Sequence, residues 1–143
     1  MSMNRRLQTG LLGLSGVLVL SSALAHALAG WPSMARGLFA SGAPVELIAA
    51  LRVGWYFGSA AMLAFAAIAL HGAYAVWQEQ PAALTALRLI GLTYLGFGLA
   101  AFVYRDFNSH FLGFMVLGAL LLTAAWGPQG ASKSRGSGKR ALL

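Results

Sequence analysis

Histidine is the residue type in this chain best suited to proton transfer or metal binding near neutral pH, and it occurs at His26, His71 and His110. His26 and His110 each lie near one end of a long apolar segment. If those ends meet, the two imidazoles would serve as axial ligands of a haem, as two ligands of a metal ion, or as acid and base groups. The structural alternative is a histidine that bonds only to water or to a backbone carbonyl.

A carboxylate precedes one of these histidines by a single helical turn. Asp106 and His110 are four residues apart, so their side chains would share a face if a helix began at Asp106. A carboxylate in that place fixes the tautomer of the imidazole or favours its charged form. The alternative is structural: Asp106 or Asn108 caps the helix by accepting from a free backbone N–H.

Two arginines lie inside or beside the apolar segments. Arg52 is followed by Trp55, Tyr56 and Ser59 at one and two helical turns, an aromatic and polar surround that would hold an anionic substrate or a lipid headgroup. Its alternative role is to extend its charge to headgroup phosphates from just inside a membrane boundary. Arg88 has the same alternative in its own segment.

The elements that position these residues are predicted from composition. Apolar residues make up 59% of the chain and charged residues only 9%, too few to cover a water-facing surface. The apolar residues fall into four blocks of roughly 20 residues or more, the length that crosses a bilayer. The predicted fold class is therefore all-α: an integral membrane four-helix bundle with antiparallel neighbours.

We predict four spans, at about residues 7–29, 48–74, 82–104 and 108–126. They form a single transmembrane domain over residues 1–127. The stretch from Trp31 to Ala43 is predicted to be a short interfacial helix, and the second helix is expected to begin near Pro44 and to project from the bilayer. Residues 128–143, rich in Ser, Gly, Lys and Arg, are predicted to be a disordered basic cytoplasmic tail.

Basic residues predict the orientation. Six of the ten lie near the chain ends: Arg5, Arg6, Lys133, Arg135, Lys139 and Arg140. Lys and Arg beside spans are retained in the cytoplasm, so both termini are predicted to be cytoplasmic and the protein to lie in a bacterial inner membrane. The net charge of +7 thus indicates topology, and a nucleic-acid partner is not expected.

This orientation groups the polar side chains into two layers. The candidate polar outer layer consists of His26, Arg52, Tyr104, Arg105, Asp106 and His110. The candidate inner layer consists of His71 and Arg88. Ionisable groups within or beside spans are costly to keep there, so function is expected in these layers, and in the outer one first.

Several groups that strong catalysts need are missing from the sequence. There is no cysteine, which excludes thiolate metal sites, iron–sulfur clusters and Cys nucleophiles. The predicted spans contain no buried carboxylate, and no Gly-rich phosphate loop with a lysine occurs. A self-sufficient ion pump or kinase is therefore not expected. No cofactor is predicted, and haem or metal bound through His26 and His110 is the alternative.

Small residues recur at the spacing of helix contacts, at Gly54, Gly58, Ala60, Ala64, Gly91, Gly96 and Gly98. In lipid, close backbone approach replaces the hydrophobic drive for helix association. Packing within the bundle explains these residues, and a homodimer face is the alternative.

A competing interpretation concerns the first span. Arg5 and Arg6, the apolar run over 11–20 and the sequence Ala23-Leu24-Ala25 are also typical of a cleaved secretory signal peptide. Cleavage would leave three helices and a cytoplasmic C-terminus. The apolar residues continue through Ala29, which favours a full span.

The chain resembles the small four-helix bacterial inner-membrane proteins loosely grouped as DoxX-like, in its four spans, its basic ends and its glycine-rich third helix, Leu89-Ile90-Gly91-Leu92-Thr93-Tyr94-Leu95-Gly96-Phe97-Gly98. The resemblance covers the spans and carries no functional residues. It implies a small accessory membrane subunit.

Three functions are therefore open. The first is an accessory or interaction subunit in the lipid bilayer, whose partner is a second copy or a larger membrane complex. The second is a membrane enzyme or a haem or metal protein that uses the outer layer. The third is a small transporter or lipid-handling protein, in which Arg52 and Arg88 bind headgroups in opposite leaflets.

Overall fold

A computed structural model describes residues 3–126 of the chain. It contains four helices: α1 (Arg5–Ala40), α2 (Val45–Trp77), α3 (Leu84–Tyr104) and α4 (Leu112–Ala125), the last preceded by a 3₁₀ turn at Ser109–Phe111. No strand occurs in this part of the chain, and the all-α class is confirmed. The predicted tail over 128–143 lies outside the described residues.

Three of the helices, α1, α2 and α3, are long and apolar enough to cross a membrane. With 36 and 33 residues, α1 and α2 are about 54 and about 50 Å long, well beyond the roughly 30 Å of a bilayer core. The 21 residues of α3 match that thickness more closely. The apolar helix at Ser109–Ala125 is shorter.

The first helix continues past the end that the sequence predicted for it. Asn4 begins α1 by accepting from the backbone N–H of Arg6. Near Ala29, where the sequence predicted a break and a separate interfacial helix, the chain stays helical as far as Ala40. The loop to α2 then contains Gly42, whose φ of 72° favours glycine.

Consecutive helices pair into two hairpins, α1 with α2 and α3 with α4. In the first hairpin, residues later in α1 contact residues earlier in α2. Gly16 lies against Leu70, His26 against Ser59, and Gly30 against Trp55. In the second, Gly91 lies against Gly118 and Gly98 against Met115. A Cβ on Gly118 would lie 2.5 Å from the backbone nitrogen of Leu95, so the helix backbones are in direct contact.

One half of the bundle is densely packed. Its buried cluster contains Leu12, Val19, Ala66, Ala69, Ala73, Leu84, Leu87, Ile90, Tyr94, Leu117, Leu121, Ala124 and Ala125. At the same end the Gln8 side chain donates to the carbonyl of Ala124 at 2.9 Å, and Arg5 forms an ion pair with Glu79. The hairpins are therefore held together at the end that carries the α2–α3 loop.

The turn between α3 and α4 is irregular. Asp106 and Phe107 have φ values of 52° and 60°, so Asp106 is not part of a helix. Asn108 caps the 3₁₀ turn, its side chain accepting from the backbone N–H of His110 at 2.9 Å. The condition for Asp106 and His110 to share a helical face is thus not met, and Asn108 has the capping role.

Candidate functional site

A widened turn in α1 positions His26. Residues His26–Gly30 form a π turn, followed by Pro32. In a regular α-helix the ring of Pro32 would collide with the carbonyl of Leu28, and its missing N–H would leave a carbonyl unpaired. The π turn absorbs this conflict without ending the helix, and such turns are common at functional sites.

His26 is held by two residues of α2. Its ring stacks on the ring of Trp55, with centroids 4.0 Å apart and an interplanar angle of 4°. Nδ1 of His26 lies 2.9 Å from Oγ of Ser59. In return, Nε1 of Trp55 donates to the backbone carbonyl of His26 at 2.7 Å. The imidazole therefore has a fixed orientation.

The single proton of Ser59 relates the hydroxyl to the tautomer of His26. Oγ of Ser59 lies 3.0 Å from the carbonyl oxygen of Trp55 and 2.9 Å from Nδ1 of His26, and its proton serves one of these two acceptors. If it serves the carbonyl, Nδ1–H donates to Ser59 and Nε2 is left as a hydrogen-bond acceptor, a base or a metal ligand. If it serves Nδ1, Nε2 of the neutral imidazole carries the proton.

A partly open cavity of about 640 Å³ lies between the two hairpins, in the half of the bundle opposite the α2–α3 loop. All four helices line it, through Leu18, Ser22, Ala25, His26, Gly30, Trp55, Met62, Tyr94, His110, Gly113, Phe114, Val116 and Leu117. The wall is mostly apolar and aromatic, and it contains no Lys, Arg, Asp or Glu. Its size is typical of sites for small organic ligands.

Tyr94 also lines the cavity. The residue is 5% exposed, and its hydroxyl is fully buried without a hydrogen-bond partner. The ring stacks on Phe114 of α4, with centroids 6.0 Å apart and an interplanar angle of 22°. Tyr94 and His26 also line an adjoining cavity of about 310 Å³. A buried hydroxyl without a partner is costly.

His110 reaches the cavity from the start of the α4 segment. Its ring meets Phe111 and Phe114 edge-on, with centroids 5.4 and 6.0 Å away. His26 and His110 thus line one cavity, from different hairpins. Among residues 3–126 no group of three or more His, Cys, Asp or Glu side chains is placed to hold a metal ion. Ligation of a haem or metal by the two histidines stays a prediction.

The other members of the predicted outer layer lie away from this cavity. Arg52 is exposed, with its guanidinium 5.9 Å from the ring centroid of Tyr56. Tyr104 is 85% exposed, and Arg105 and Asp106 are exposed in the α3–α4 turn. Of the six outer-layer residues, the structure brings only His26 and His110 together in one cavity.

The two residues of the predicted inner layer, His71 and Arg88, do not contact each other through a hydrogen bond in the described chain. Nε of Arg88 donates to the carbonyl of Ala125 at 3.1 Å, and its guanidinium lies 5.4 Å from the ring centroid of Trp126. His71 is exposed on α2. Arg88 therefore secures the end of α4.

The sequence did not single out Tyr94 or Phe114, and it assigned Ser59 and Trp55 to the surroundings of Arg52. Tyr94 could have been found from its position in the middle of an apolar segment, because a hydroxyl in an apolar environment needs a hydrogen-bond partner. For Ser59 the signal was its position four residues after Trp55, on the same face of the helix.

Comparison of the chain with protein families, curated proteins and solved structures finds no match. The chemistry of the site therefore rests on its own geometry. That geometry supplies an oriented imidazole at His26, a second imidazole at His110 and aromatic walls.

Proposed function

We propose that this chain is a four-span protein of a bacterial inner membrane, with antiparallel neighbouring helices and both termini in the cytoplasm, and that it binds a small apolar ligand between its two hairpins. The observation that carries the proposal is the cavity, which combines a mostly apolar wall with the oriented imidazole of His26 and with His110. A few polar groups in an apolar pocket are typical of sites for small organic molecules.

The outer surface of the bundle supports the membrane environment. Large apolar side chains are exposed on successive helices, among them Val17 at 52%, Phe57 at 77% and Leu89 at 61%. Many large apolar side chains exposed in this way are unfavourable in water, and lipid or a partner protein would cover them. The three long apolar helices support three of the proposed spans, and the shorter apolar segment at Ser109–Ala125 is the proposed fourth.

A membrane protein that binds such a ligand would act as a lipid-handling or carrier protein. The ligand enters from the hydrocarbon phase, because the cavity wall offers no charge to hold a polar solute. The aromatic pair of His26 and Trp55 forms one wall, and Tyr94 and Phe114 form another. Flat or branched apolar groups would be held between them.

The test is to identify what co-purifies with the protein. Gly113 lines the cavity and has open space where a Cβ would be, so Gly113→Leu would fill the cavity without a backbone clash. Gly96→Leu is the matched control, because Gly96 also has open space and does not line the cavity. Small molecules extracted from both variants and from the natural protein would be compared by mass spectrometry.

We expect an amphiphile that is present in the natural protein and in Gly96→Leu but depleted in Gly113→Leu. The same small-molecule profile in all three proteins, with all three folded, would contradict ligand binding in the cavity.

A second candidate function is the accessory subunit. Only 17% of the most apolar part of α2 is buried, and a Cβ added to Gly54 on that helix would meet no atom within 4 Å. A partner helix would fit closely at this place. Gly54→Leu would then displace the partner from complexes cross-linked in native membranes, whereas an unchanged cross-linking pattern would count against this candidate.

A further inference from the structure

We propose that the two adjoining cavities are the halves of one lateral passage through the cleft between the hairpins, and that the hydrocarbon chain of a membrane lipid lies across the bundle in this passage. The inference rests on the proposed function, since it names the chemical class of the ligand and its route to the same site. It follows from where each cavity opens and from the side chains that lie between the two.

The two cavities open at opposite edges of the cleft. Helix contacts place α1 beside α4 and α2 beside α3, without close backbone approach between α1 and α3 or between α2 and α4 in the described chain. The larger cavity is lined mainly by α1 and α4, and its exposed lining residues include Ser22 and Val116. The smaller cavity is lined mainly by α2 and α3, and its exposed lining residues are Thr93 and Phe97. One opening therefore lies at the α1–α4 edge and the other at the α2–α3 edge.

Four side chains line both cavities and so lie between them: His26, Met62, Tyr94 and Phe114. His26 is held by its stack on Trp55. The rings of Tyr94 and Phe114 stack on each other. Met62 has an unbranched side chain with three rotatable bonds, which adapts to the shape of its neighbours. A change in the rotamer of Met62 is therefore the movement that joins the two cavities.

Hydrocarbon is the chemistry that both cavities accept. Among the described residues neither lining contains Lys, Arg, Asp or Glu, so a charged group would find no ion-pair partner inside. Large apolar side chains are exposed at both openings, Leu18 and Val116 at one and Phe97 at the other. In a membrane these side chains meet lipid chains. An apolar space left empty beside those chains lacks dispersion contacts, which a chain entering the space would regain.

The shape of the space favours a chain over a compact ligand. A compact molecule would fill one cavity and leave the other empty. A chain that passes Met62 fills both cavities and reaches lipid at each edge. The headgroup of such a lipid stays outside the cleft, so no charge has to enter an apolar site.

Trp55 can report whether the passage is continuous, because it lines the larger cavity and not the smaller one. A bromine atom quenches tryptophan emission at close range. In a background in which Trp31, Trp77 and Trp126 are replaced by Phe, Trp55 is the only tryptophan. Quenching of its emission then shows that a brominated chain has entered the larger cavity.

Single cysteines would attach the chain at either opening, since the protein has none of its own. Ser22→Cys lies at the opening of the larger cavity, and Thr93→Cys at the opening of the smaller one. Ser21→Cys and Gly96→Cys are the matched controls, because these positions are exposed on the same helices and line neither cavity. The full-length proteins would be labelled in lipid nanodiscs with 3-bromopropyl or 12-bromododecyl methanethiosulfonate.

The chain length separates passage from simple proximity. Phe65 meets Tyr94, the neighbour of Thr93, edge-on, and it follows Trp55 by ten residues, or about 15 Å along α2. A propyl chain on Thr93→Cys is too short to cover that distance, whereas a dodecyl chain is long enough.

From Thr93→Cys, we expect the long reagent to quench Trp55 several-fold more than it does from Gly96→Cys, and the short reagent to leave the emission unchanged. From Ser22→Cys, the long reagent should quench more than it does from Ser21→Cys.

Met62→Phe tests the point at which the cavities join, because it places a bulkier and stiffer side chain between them. It should abolish the quenching from Thr93→Cys and preserve the quenching from Ser22→Cys. The preserved signal, together with circular dichroism, shows that the variant is folded.

The outcomes separate the two proposals. Quenching above the control from Ser22→Cys but not from Thr93→Cys would overturn the passage and leave the ligand cavity supported. Quenching from neither position above its control, with all variants folded, would overturn both.

Discussion

The imidazole of His26 is oriented by two side chains of α2. It stacks on the ring of Trp55 with centroids 4.0 Å apart, and its Nδ1 lies 2.9 Å from Oγ of Ser59. The same Oγ lies 3.0 Å from the backbone carbonyl of Trp55, so the position of the serine proton and the tautomer of His26 are linked. The orientation of His26 therefore depends on how closely α1 and α2 approach.

The close contact between α1 and α2 can be tested at Gly30. A Cβ on Gly30 would lie 2.7 Å from Cζ2 of Trp55, closer than real contacts allow. Gly30→Ala should push the indole away from His26 and lower the free energy of unfolding by about 1–3 kcal/mol. Thermal unfolding in detergent and the wavelength of tryptophan emission report the two effects.

The matched control for this substitution is Gly37→Ala in the same helix. A Cβ added to Gly37 would meet no atom within 4 Å, so alanine there should leave the stability unchanged or raise it by up to about 1 kcal/mol. Equal stability of the two variants would contradict the close contact between α1 and Trp55.

At the scale of elements, backbone contact between α3 and α4 fixes the second hairpin. A Cβ on Gly118 would lie 2.5 Å from the Leu95 nitrogen and 2.7 Å from the Gly91 carbonyl oxygen. Neither backbone atom can move aside as a flexible side chain would. The glycines at 91, 98 and 118 are thus requirements of packing, in line with the expected use of small residues, whereas Gly54 and Gly96 face open space.

Gly118→Ala should therefore force α3 and α4 apart and destabilise the protein by about 1–3 kcal/mol or more. Gly113→Ala, in the same helix with open space around it, should be neutral or slightly stabilising. Unfolding of both variants in detergent would be compared, and similar stabilities would refute the direct contact of the two helices.

The sequence predicted the helices better than their connections. Composition and block length were sufficient for the all-α class and for four apolar helices, because both depend on local residue type. The continuity of α1 was not predicted, because Pro32 normally marks a boundary and only the π turn lets the helix pass it. The positive φ at Asp106 was likewise not readable from its residue type.

The site was predicted in part. His26 and His110 were paired by their depth along antiparallel helices, and the structure places both at one cavity. Tyr94 was missed, because its importance comes from the absence of a partner, a property of packing between hairpins. Arg52 had a suitable local surround, but its exposed side chain does not line the cavity.

At the scale of the whole molecule, the two ends of the bundle differ. Gln8, Arg5 and Arg88 bind backbone or side-chain partners at the end with the α2–α3 loop, where the hairpins pack closely. The opposite half holds the cavity. Positive residues predict that the packed end faces the cytoplasm, and under that proposed orientation the cavity would lie in the outer half of the bilayer.

This orientation is testable because the chain has no cysteine. Ser41→Cys lies in the α1–α2 loop and Gln78→Cys follows α2, and both positions are exposed. In spheroplasts, a membrane-impermeant maleimide should label Ser41→Cys directly, and Gln78→Cys only after the membrane is permeabilised. The reverse pattern, or direct labelling of both, would overturn the assigned topology.

The central claim is that a ligand separates the two hairpins where His26 and Tyr94 line the cavity. An experimental structure of the full chain in nanodiscs formed from native lipids tests it most directly. We predict non-protein density in the cavity, in contact with the imidazole of His26 and the ring of Phe114. Closed hairpins, with Tyr94 bonded directly to His26 and no space between them, would contradict the claim.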